Sequence, residues 1–399
     1  MLTRQGWLAV VGAALLIAGG RVLGQPELFA LGLATALLPV LAAASVLARR
    51  LDLEVGRSVH PVEVQVGTPT RVDLRIRNRR IAPTPVLRLR EPVSGTRGAD
   101  LRVAPLSRGE EATAAYRLPT ERRGLVEVGP LEVVVEDPFG LVRVATRGAP
   151  ATAVTVYPHV DPIPPLPYTA GHDPLAGARH PNSLGRTGDD FYALRPYVVG
   201  DDLRRVHWPS SARHDELLVR QQEEPWQART TVLLDVRSAA HGGESLEIAV
   251  SAAASIVAAA ARRGDVIRLV TTAGADSEHG AGRDHLSAIM EHLAVVPASP
   301  SGGLRRTVEL LRRTSGGGAL VAIVARVPDE DLRAVAGLSS RYGSTTIVHI
   351  DRSAWDPGAP EGPTPPVPAV RVTAATPFAE AWRAQLATSR YARPSGVAR

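Results

Sequence analysis

Residues 28–48 read LFALGLATALLPVLAAASVLA, a run of 21 residues without a charged side chain. As a helix rising about 1.5 Å per residue, this run is long enough to cross a hydrocarbon core about 30 Å thick. Pro39 lies inside the run, and membrane helices tolerate such a kink when neighbouring groups satisfy the freed carbonyl. We therefore expect a transmembrane helix over residues 28–48.

An apolar segment also precedes this run, at residues 7–24, and contains Arg21 near its end. It spans a bilayer only if the Arg21 side chain extends to the interface. The short sequence at 25–27 leads directly into the second span, which is typical of a helical hairpin over residues 1–50. The alternative is a cleaved signal peptide with Arg4 as its charged end.

The arginines around the hairpin predict its orientation. Arg4 precedes the hairpin, and Arg49, Arg50 and Arg57 follow it. Only Arg21 lies near the loop that joins the two spans. Because positive residues stay on the cytoplasmic side, we expect a multi-pass plasma-membrane protein with both termini and its soluble domains in the cytoplasm.

Composition and charge narrow the function classes. The chain has no cysteine and no lysine, which excludes disulfides, thiolate metal sites and phosphate-loop lysines. Its net charge of +6 is concentrated in residues 49–150, which contain 18 arginines and 13 acids, whereas residues 151–399 contain 26 of each. An anionic lipid surface attracts each juxtamembrane arginine by about 1 kcal/mol, so the expected partner is the lipid bilayer and not nucleic acid.

Beyond the hairpin, residues 51–157 show the period of two that is typical of half-buried strands. Apolar and charged residues alternate most clearly at 71–77. Further strand candidates are 62–66, 85–89, 112–118 and 131–136. Short strands separated by turns predict an antiparallel, immunoglobulin-like β-sandwich. A Pro-rich connector over 158–180 follows, and we expect it to be stiff and unpacked, at least at 158–167.

Residues 230–390 alternate apolar strands with amphipathic helices, which predicts a parallel sheet covered on both faces. Strand candidates are 230–234, 266–271, 319–325, 345–350 and 369–373. Helix candidates are 244–263, 283–293, 304–313, 330–340 and 378–388. The pattern resembles a von Willebrand factor A-type, Rossmann-like domain, and residues 391–399 form a tail.

The segment 181–229 between the two soluble domains, hereafter the motif lobe, has the most distinctive sequence. It contains GRTGDDF at 185–191, LRPY at 194–197, GDDLRR at 200–205 and SAR at 211–213, with a tryptophan at position 208.

This pattern resembles the bacterial family catalogued as domain of unknown function 58, whose motif leads into an A-type domain. The resemblance covers about residues 122–265 in register, and includes Gly129-Pro130 and the DPFGL sequence at 137–141. His207 is a departure, because the family usually has an acid there. Apart from the resemblance, the 137–140 sequence is typical of a tight turn with proline at its second position.

The motif lobe mixes arginines, acids and aromatic residues. One interpretation is an internal network, since arginine binds carboxylates bidentately. The other is a surface for a protein partner, since Arg, Tyr and Trp are enriched at interface hot spots. The residues concerned are Gly185, Gly188, Phe191, Arg195, Tyr197, Gly200, Asp201, Asp202, Arg204, Arg205, Trp208, Ser211 and Arg213.

A-type domains often bind Mg²⁺ through an Asp-x-Ser-x-Ser loop together with a threonine and an aspartate. Here Asp235 is retained, but Arg237 and Ala239 occupy the serine positions. Leu304 and Ala325-Arg326 occupy the later ligand positions. We therefore expect no metal, no other cofactor, and an internal ion pair between Asp235 and Arg237.

No Gly-x-Ser-x-Gly, His-Glu-x-x-His or complete dinucleotide loop occurs, so neither an enzyme nor a small-molecule substrate is expected. The family resemblance implies partnership with a MoxR-type AAA+ ATPase. The expected function is a membrane-anchored scaffold or adaptor in the assembly or maturation of other proteins. The alternatives are a metal-dependent adhesion receptor and a hydrolase whose active site is assembled across loops.

Overall fold

The computed structural model describes residues 2–48, 51–60, 64–167, 191–197, 206–214, 217–222, 228–314, 317–356, 358–359 and 367–391. The chain divides into two compact units, Met1–His159 with Glu291–Val295 and Val160–Met290 with Val296–Arg399.

The N-terminal hairpin consists of α1 (Arg4–Val22) and α2 (Pro26–Ala48). Thr3 caps α1, because its hydroxyl accepts a hydrogen bond from the Gly6 N–H at 3.1 Å. Pro26 occupies the first position of α2, where its missing N–H leaves no bond unmade. Both helices are long and apolar enough to cross a membrane, as predicted. The first helix begins at Arg4 and therefore has 19 residues, whereas the uncharged part of its sequence alone is short for a membrane span.

Glycines let the two helices pack closely. A β-carbon at Gly20 would lie 2.5 Å from the Phe29 nitrogen, and one at Gly32 would lie 2.7 Å from Ile17 Cγ1. Small residues at such positions allow membrane helices to approach each other's backbone.

Antiparallel strands follow the hairpin. They are β1 (Leu53–His60), β2 (Val64–Gln65), β3 (Thr70–Asn78), β4 (Leu87–Glu91), β5 (Ala99–Val103), β6 (Glu111–Leu118), β7 (Gly124–Val128), β8 (Leu131–Glu136), β9 (Arg143–Ala149) and β10 (Thr152–Tyr157). Among the described residues they form sheets of order β1-β3-β6, β5-β4-β8-β9 and β2-β10-β7. Only the β2–β10 pairing in these sheets is parallel.

One apolar core joins these sheets, and Val72, Leu74 and Ile76 of β3 point into it with at most 1% exposure. The strict alternation of burial along β3 confirms the period of two at 71–77. The candidates at 112–118 and 131–136 coincide with β6 and β8, and 85–89 overlaps β4. Of the candidate at 62–66, residues 61–63 lie outside the described residues and Val64–Gln65 forms β2.

The second unit contains a short hairpin and an α/β sheet. Its elements are β11 (Phe191–Pro196), α3 (Trp208–His214), β12 (Leu218–Gln222), β13 (Arg229–Leu234), α4 (Ser245–Arg263), β14 (Val266–Thr271), α5 (Arg283–Val295), α6 (Leu304–Arg313), β15 (Ala319–Val324), α7 (Asp329–Ala336), β16 (Ser344–Ile350), β17 (Val370–Val372) and α8 (Phe378–Tyr391). Strands β11 and β12 pair antiparallel. Each α/β strand and helix predicted from the sequence is present, although the helix predicted at 330–340 is α-helical only to Ala336 and continues as a 3-10 helix at Gly337–Ser340.

Strands β13 to β17 form a five-stranded parallel sheet of order β14-β13-β15-β16-β17. The chain moves outward from β13 in one direction to β14 and in the other to β15, so a topological switch point lies beside β13. Beyond β14, isolated antiparallel bridges join Ile267 to Gly280 and Val270 to Asp276.

Helix α4 is also long and apolar enough to cross a membrane, but it is mostly buried within the α/β fold. Its residues Ala253 and Val257 have 0% exposure, and the helix packs on β13 and β14. It is therefore the core helix of the α/β sheet.

The prediction of an unpacked connector is wrong for residues 160–167. Ile163 and Leu166 are buried at 4% and 8% exposure. The Trp382 indole N–H donates to the Pro164 carbonyl at 3.0 Å, and the Asp161 N–H donates to Ser255 Oγ at 2.9 Å. A Pro-rich segment has few N–H donors but keeps its carbonyls, and side chains of α4 and α8 donate hydrogen bonds to them. Residues 168–180 of the predicted connector lie outside the described residues.

Candidate functional site

The candidate site of the α/β domain lies at the carboxyl end of β13. Asp235 directly follows this interior strand, at the edge where doubly wound sheets bind their ligands. Its side chain has 0% exposure. A carboxylate in that environment requires charged or hydrogen-bonding partners, because an unpaired buried charge is strongly unfavourable.

Arg237 supplies that partner. Its Nε donates to Asp235 Oδ1 at 2.9 Å and its Nη2 donates to Oδ2 at 2.7 Å, which is the bidentate geometry of arginine and carboxylate. The carboxylate raises the pKa of Arg237 above its usual value, chiefly through these hydrogen bonds. The ion pair expected from the sequence is therefore present.

Thr272, which directly follows β14, completes the Asp235 environment. Its hydroxyl donates to Asp235 Oδ1 at 3.1 Å and accepts from the Val236 N–H at 2.9 Å. Thr272 was not predicted from the sequence, because it reaches Asp235 only when β13 and β14 are neighbours in the sheet. A polar residue directly after an apolar strand was the available signal.

His241 fixes the loop that follows Asp235. Its Nε2 lies 2.7 Å from the Asp235 carbonyl oxygen, so this nitrogen carries the proton. Its Nδ1 lies 3.2 Å from Ser245 Oγ at the start of α4. Burial is the main cause that lowers the pKa of His241. The histidine is thus a buried neutral donor that orients the Asp235 backbone.

The residues at this edge do not fit a divalent cation. The Arg237 guanidinium holds both Asp235 oxygens, which a cation would need. Arg326 lies where A-type domains usually have an acidic ligand, and its backbone N–H donates to the Ala240 carbonyl at 3.2 Å. Among the described residues, no group of three His, Cys, Asp or Glu side chains could hold a metal.

The motif lobe is described only in part. Two of its predicted residues, Tyr197 and Ser211, have described hydrogen bonds. The Tyr197 N–H donates to the Leu217 carbonyl at 2.7 Å. Ser211 Oγ accepts from the Leu218 N–H at 2.9 Å and donates to the His207 carbonyl at 3.1 Å. Ser211 therefore ties α3 to β12 and has a structural position.

Other motif residues differ in what the structure places. Trp208 is 63% exposed and Arg213 is also exposed, both on α3. For Phe191 and Arg195 the structure describes only the backbone, which belongs to strand β11. His207 Nδ1, at the departure from the family pattern, lies 2.8 Å from Ser210 Oγ. Outside the described residues lie Gly185, Gly188, Gly200, Asp201, Asp202, Arg204 and Arg205.

The family described as "Protein of unknown function DUF58" matches this part of the chain, over residues 193–353. The match runs from β11 through β16 and confirms the family resemblance for this region. It includes the edge of the sheet that holds Asp235.

Two mycobacterial proteins are similar in sequence. They are Uncharacterized protein Mb1516 of Mycobacterium bovis and Uncharacterized protein Rv1480 of Mycobacterium tuberculosis, each 26% identical over 192 residues. The similarity covers 44% of this chain and 61% of each relative, so less than two thirds of the relatives' length is matched.

Among solved structures, the CARDB domain of the PF1109 protein from Pyrococcus furiosus is 19% identical and covers 27% of this chain and 93% of that chain, with a TM-score of 0.22. Beta-glucosidase from Listeria innocua is 19% identical over 27% of this chain and 16% of that chain, with a TM-score of 0.18.

Proposed function

We propose that this protein is a non-enzymatic, membrane-anchored scaffold or adaptor that works with a MoxR-type AAA+ ATPase. In this proposal the chain is a member of the DUF58 family, its first soluble domain is immunoglobulin-like and its second is of the von Willebrand factor A type. The hairpin anchors the chain in the plasma membrane, and the soluble domains act in the cytoplasm on the assembly or maturation of other proteins.

The observation that carries the proposal is the ion pair of Asp235 with Arg237. The Arg237 side chain occupies the sheet edge where a related domain would bind an ion or a ligand. A domain whose ligand position is filled by its own arginine acts more readily through its surface than through bound ligands. The parallel sheet with antiparallel bridges at its β14 edge supports the A-type assignment.

Helix α3 offers the contact surface in this proposal. An exposed tryptophan and an exposed arginine lie on it, Trp208 and Arg213, and both residue types are enriched at interface hot spots. Truncating such a tryptophan typically lowers affinity by about 2 kcal/mol or more.

The test is a pull-down of the tagged full-length chain from detergent extract of its own bacterium, followed by identification of an AAA+ ATPase. Trp208→Ala with Arg213→Ala should lower recovery of the ATPase at least about tenfold. Leu125→Ala is the matched control, because Leu125 is a 61% exposed apolar residue of the other unit, and it should leave recovery unchanged.

Absence of any AAA+ ATPase from the wild-type sample would overturn the proposal. The motif lobe would lose its role as the contact surface if a demonstrated association survived the combined change of Asp201, Arg205 and Trp208 to alanine.

A further inference from the structure

The DPFGL sequence at 137–141 forms a turn that the Asp137 side chain holds together. Asp137 is 5% exposed, and its Oδ1 accepts from the Phe139 N–H at 2.9 Å while its Oδ2 accepts from the Val142 N–H. The Gly140 N–H donates to the Asp137 carbonyl at 3.0 Å. The turn is therefore a rigid support for the residue at its tip, Phe139.

This turn is attached to the first residues of the membrane hairpin. The Thr3 N–H donates to the Leu141 carbonyl at 2.9 Å, and the Thr3 hydroxyl donates to the Gly140 carbonyl. An isolated antiparallel bridge joins Leu2 to Val142. Residues 2–3 and 140–142 thus form one structure, although about 138 positions separate them in the chain.

Two glycines make this attachment close. A β-carbon at Gly6, on the first turn of α1, would lie 2.2 Å from the Leu141 oxygen. Gly140 has a φ of 67°, a conformation that other residues rarely adopt, and its β-carbon would lie 2.8 Å from Gln5 Oε1. The turn backbone at Leu141 therefore lies directly against the first turn of α1 at Gly6, and the Gln5 side chain lies against Gly140.

The length of α1 sets the depth of the turn in a bilayer. Its 19 residues span about 28 Å as a helix, close to the hydrocarbon thickness of about 30 Å. If α1 crosses the membrane, Thr3 lies at one membrane surface and Phe139 lies there with it. Phe139 is 70% exposed, and phenylalanine is one of the side chains that bury at the boundary between headgroups and acyl chains.

A second apolar residue lies at the same end of the β-domain. Leu53, which begins β1 soon after α2 ends, pairs with Asn78, and the Arg79 N–H donates to the Asp52 carbonyl at 3.0 Å. The loop that follows presents Ile81 at 77% exposure. Arg79 and Arg80, both exposed, precede it. Arg79 Nε lies 3.6 Å from Glu54 Oε2 in an exposed ion pair, and anionic headgroups attract the charges of both arginines.

We propose that the β-domain docks on the lipid bilayer through Phe139 and Ile81, with the 137–141 turn fixed at that depth by Thr3 and Gly6. The occupant of this surface is the headgroup region of an anionic membrane. The inference rests on the hairpin spanning the bilayer, as in the proposed function. It gives the DPFGL turn a role beyond reversal of the chain.

The absence of cysteine from the chain makes site-specific labelling straightforward, because each introduced cysteine is unique. Phe139→Cys and Ile81→Cys are labelled with the fluorophore NBD in the full-length chain, reconstituted in vesicles that contain anionic lipid. Quenching by iodide reports water, and quenching by a doxyl group near the headgroup end of an acyl chain reports the interface. Both labels should be quenched mainly by the doxyl lipid.

Leu125→Cys is the matched control within the same domain. Leu125 is 61% exposed and lies in β7, which pairs with β10 next to β2. Strand β1 has eight residues and is about 26 Å long. Leu125 lies near the end of the β-domain at His60, whereas Phe139 and Ile81 lie near the end at Leu53. A label there should be quenched mainly by iodide.

Leu33→Cys tests the anchoring itself through a doxyl group at the bilayer centre, because Leu33 lies on α2 and is 59% exposed. If this label is quenched by lipid while those at positions 139 and 81 respond to iodide as the Leu125→Cys label does, the docking proposal is overturned and the anchoring stands. If the Leu33→Cys label responds only to iodide, the hairpin does not span and both proposals fall.

Discussion

Arg237 binds both oxygens of a carboxylate that is fully buried, and this arrangement has a measurable energetic consequence. Removing one partner of a buried pair leaves an uncompensated charge, which typically destabilises a protein by about 3–5 kcal/mol. Thr272 still donates to Asp235, so we expect Arg237→Ala to lose about 3 kcal/mol of unfolding free energy. Chemical denaturation of the full chain in detergent measures this loss.

Arg313→Ala is the control for this prediction. Arg313 pairs with Glu309 at 2.9 Å on the surface of α6, with 78% of its side chain exposed. Its removal should change the unfolding free energy by less than about 0.5 kcal/mol. Equal effects of the two substitutions would mean that Arg237 does not neutralise Asp235.

His241 predicts a pH dependence of stability. Burial, with smaller contributions from Arg237 and Arg352, lowers the pKa of this histidine below its usual 6.5. The unfolded chain therefore takes up a proton more readily than the folded chain as the pH falls below 6.5. The stability that the neutral, buried His241 contributes to the fold is therefore complete above pH 6.5 and declines as the pH falls below it.

The measurement is urea denaturation between about pH 7.5 and pH 5.5, with His241→Gln as the comparison. The variant should have lower stability at neutral pH, and its stability should decline less on acidification than that of the wild type. The pKa values of His279, His292 and His349 are also lowered by burial, so part of the decline remains. Parallel pH profiles for variant and wild type would contradict the assignment.

At the scale of elements, the junction between α1 and the 137–141 turn depends on the absence of a side chain at Gly6. Gly6→Ala forces a methyl group toward the Leu141 oxygen, and such overpacking typically costs about 1–3 kcal/mol. We expect a lower melting temperature of the full chain in detergent and faster proteolysis between the hairpin and the β-domain.

Gly12 lies on the same helix, but outside its chain neighbours and the local helix backbone no atom lies within 4 Å of a β-carbon built there. Gly12→Ala should therefore leave the melting temperature unchanged or raise it slightly, because alanine favours a helix. If Gly6→Ala behaves in the same way, the turn does not rest on α1.

At the scale of the whole molecule, the arginine distribution predicts the topology. Alkaline phosphatase fused after Arg399 should be inactive, since it stays in the cytoplasm, and the same enzyme inserted at Gly24 of the hairpin loop should be active outside. The reverse pattern would place the soluble domains outside the cell. It would favour an adhesion receptor over the cytoplasmic scaffold.

The sequence by itself determined the features that repeat along one element. The uncharged run at 28–48 predicted α2, and the alternation at 71–77 predicted β3, because burial of one face imposes the helix or strand period directly on the chain. The alternation of strands and helices beyond residue 230 predicted a parallel sheet for the same reason. The pair of Asp235 and Arg237 was also predictable, since only two positions separate them.

Only the tertiary structure decided which distant segments meet. Thr3 and Leu141, Trp382 and Pro164, and Asp235 and Thr272 come together through strand order and packing, which no local period encodes. For this reason a Pro-rich segment predicted to be unpacked is partly buried, and a turn that looked merely local is attached to the N-terminal hairpin. The physical reason is that a contact between distant residues depends on the free energy of the whole fold, whereas a periodic pattern depends on one element and its environment.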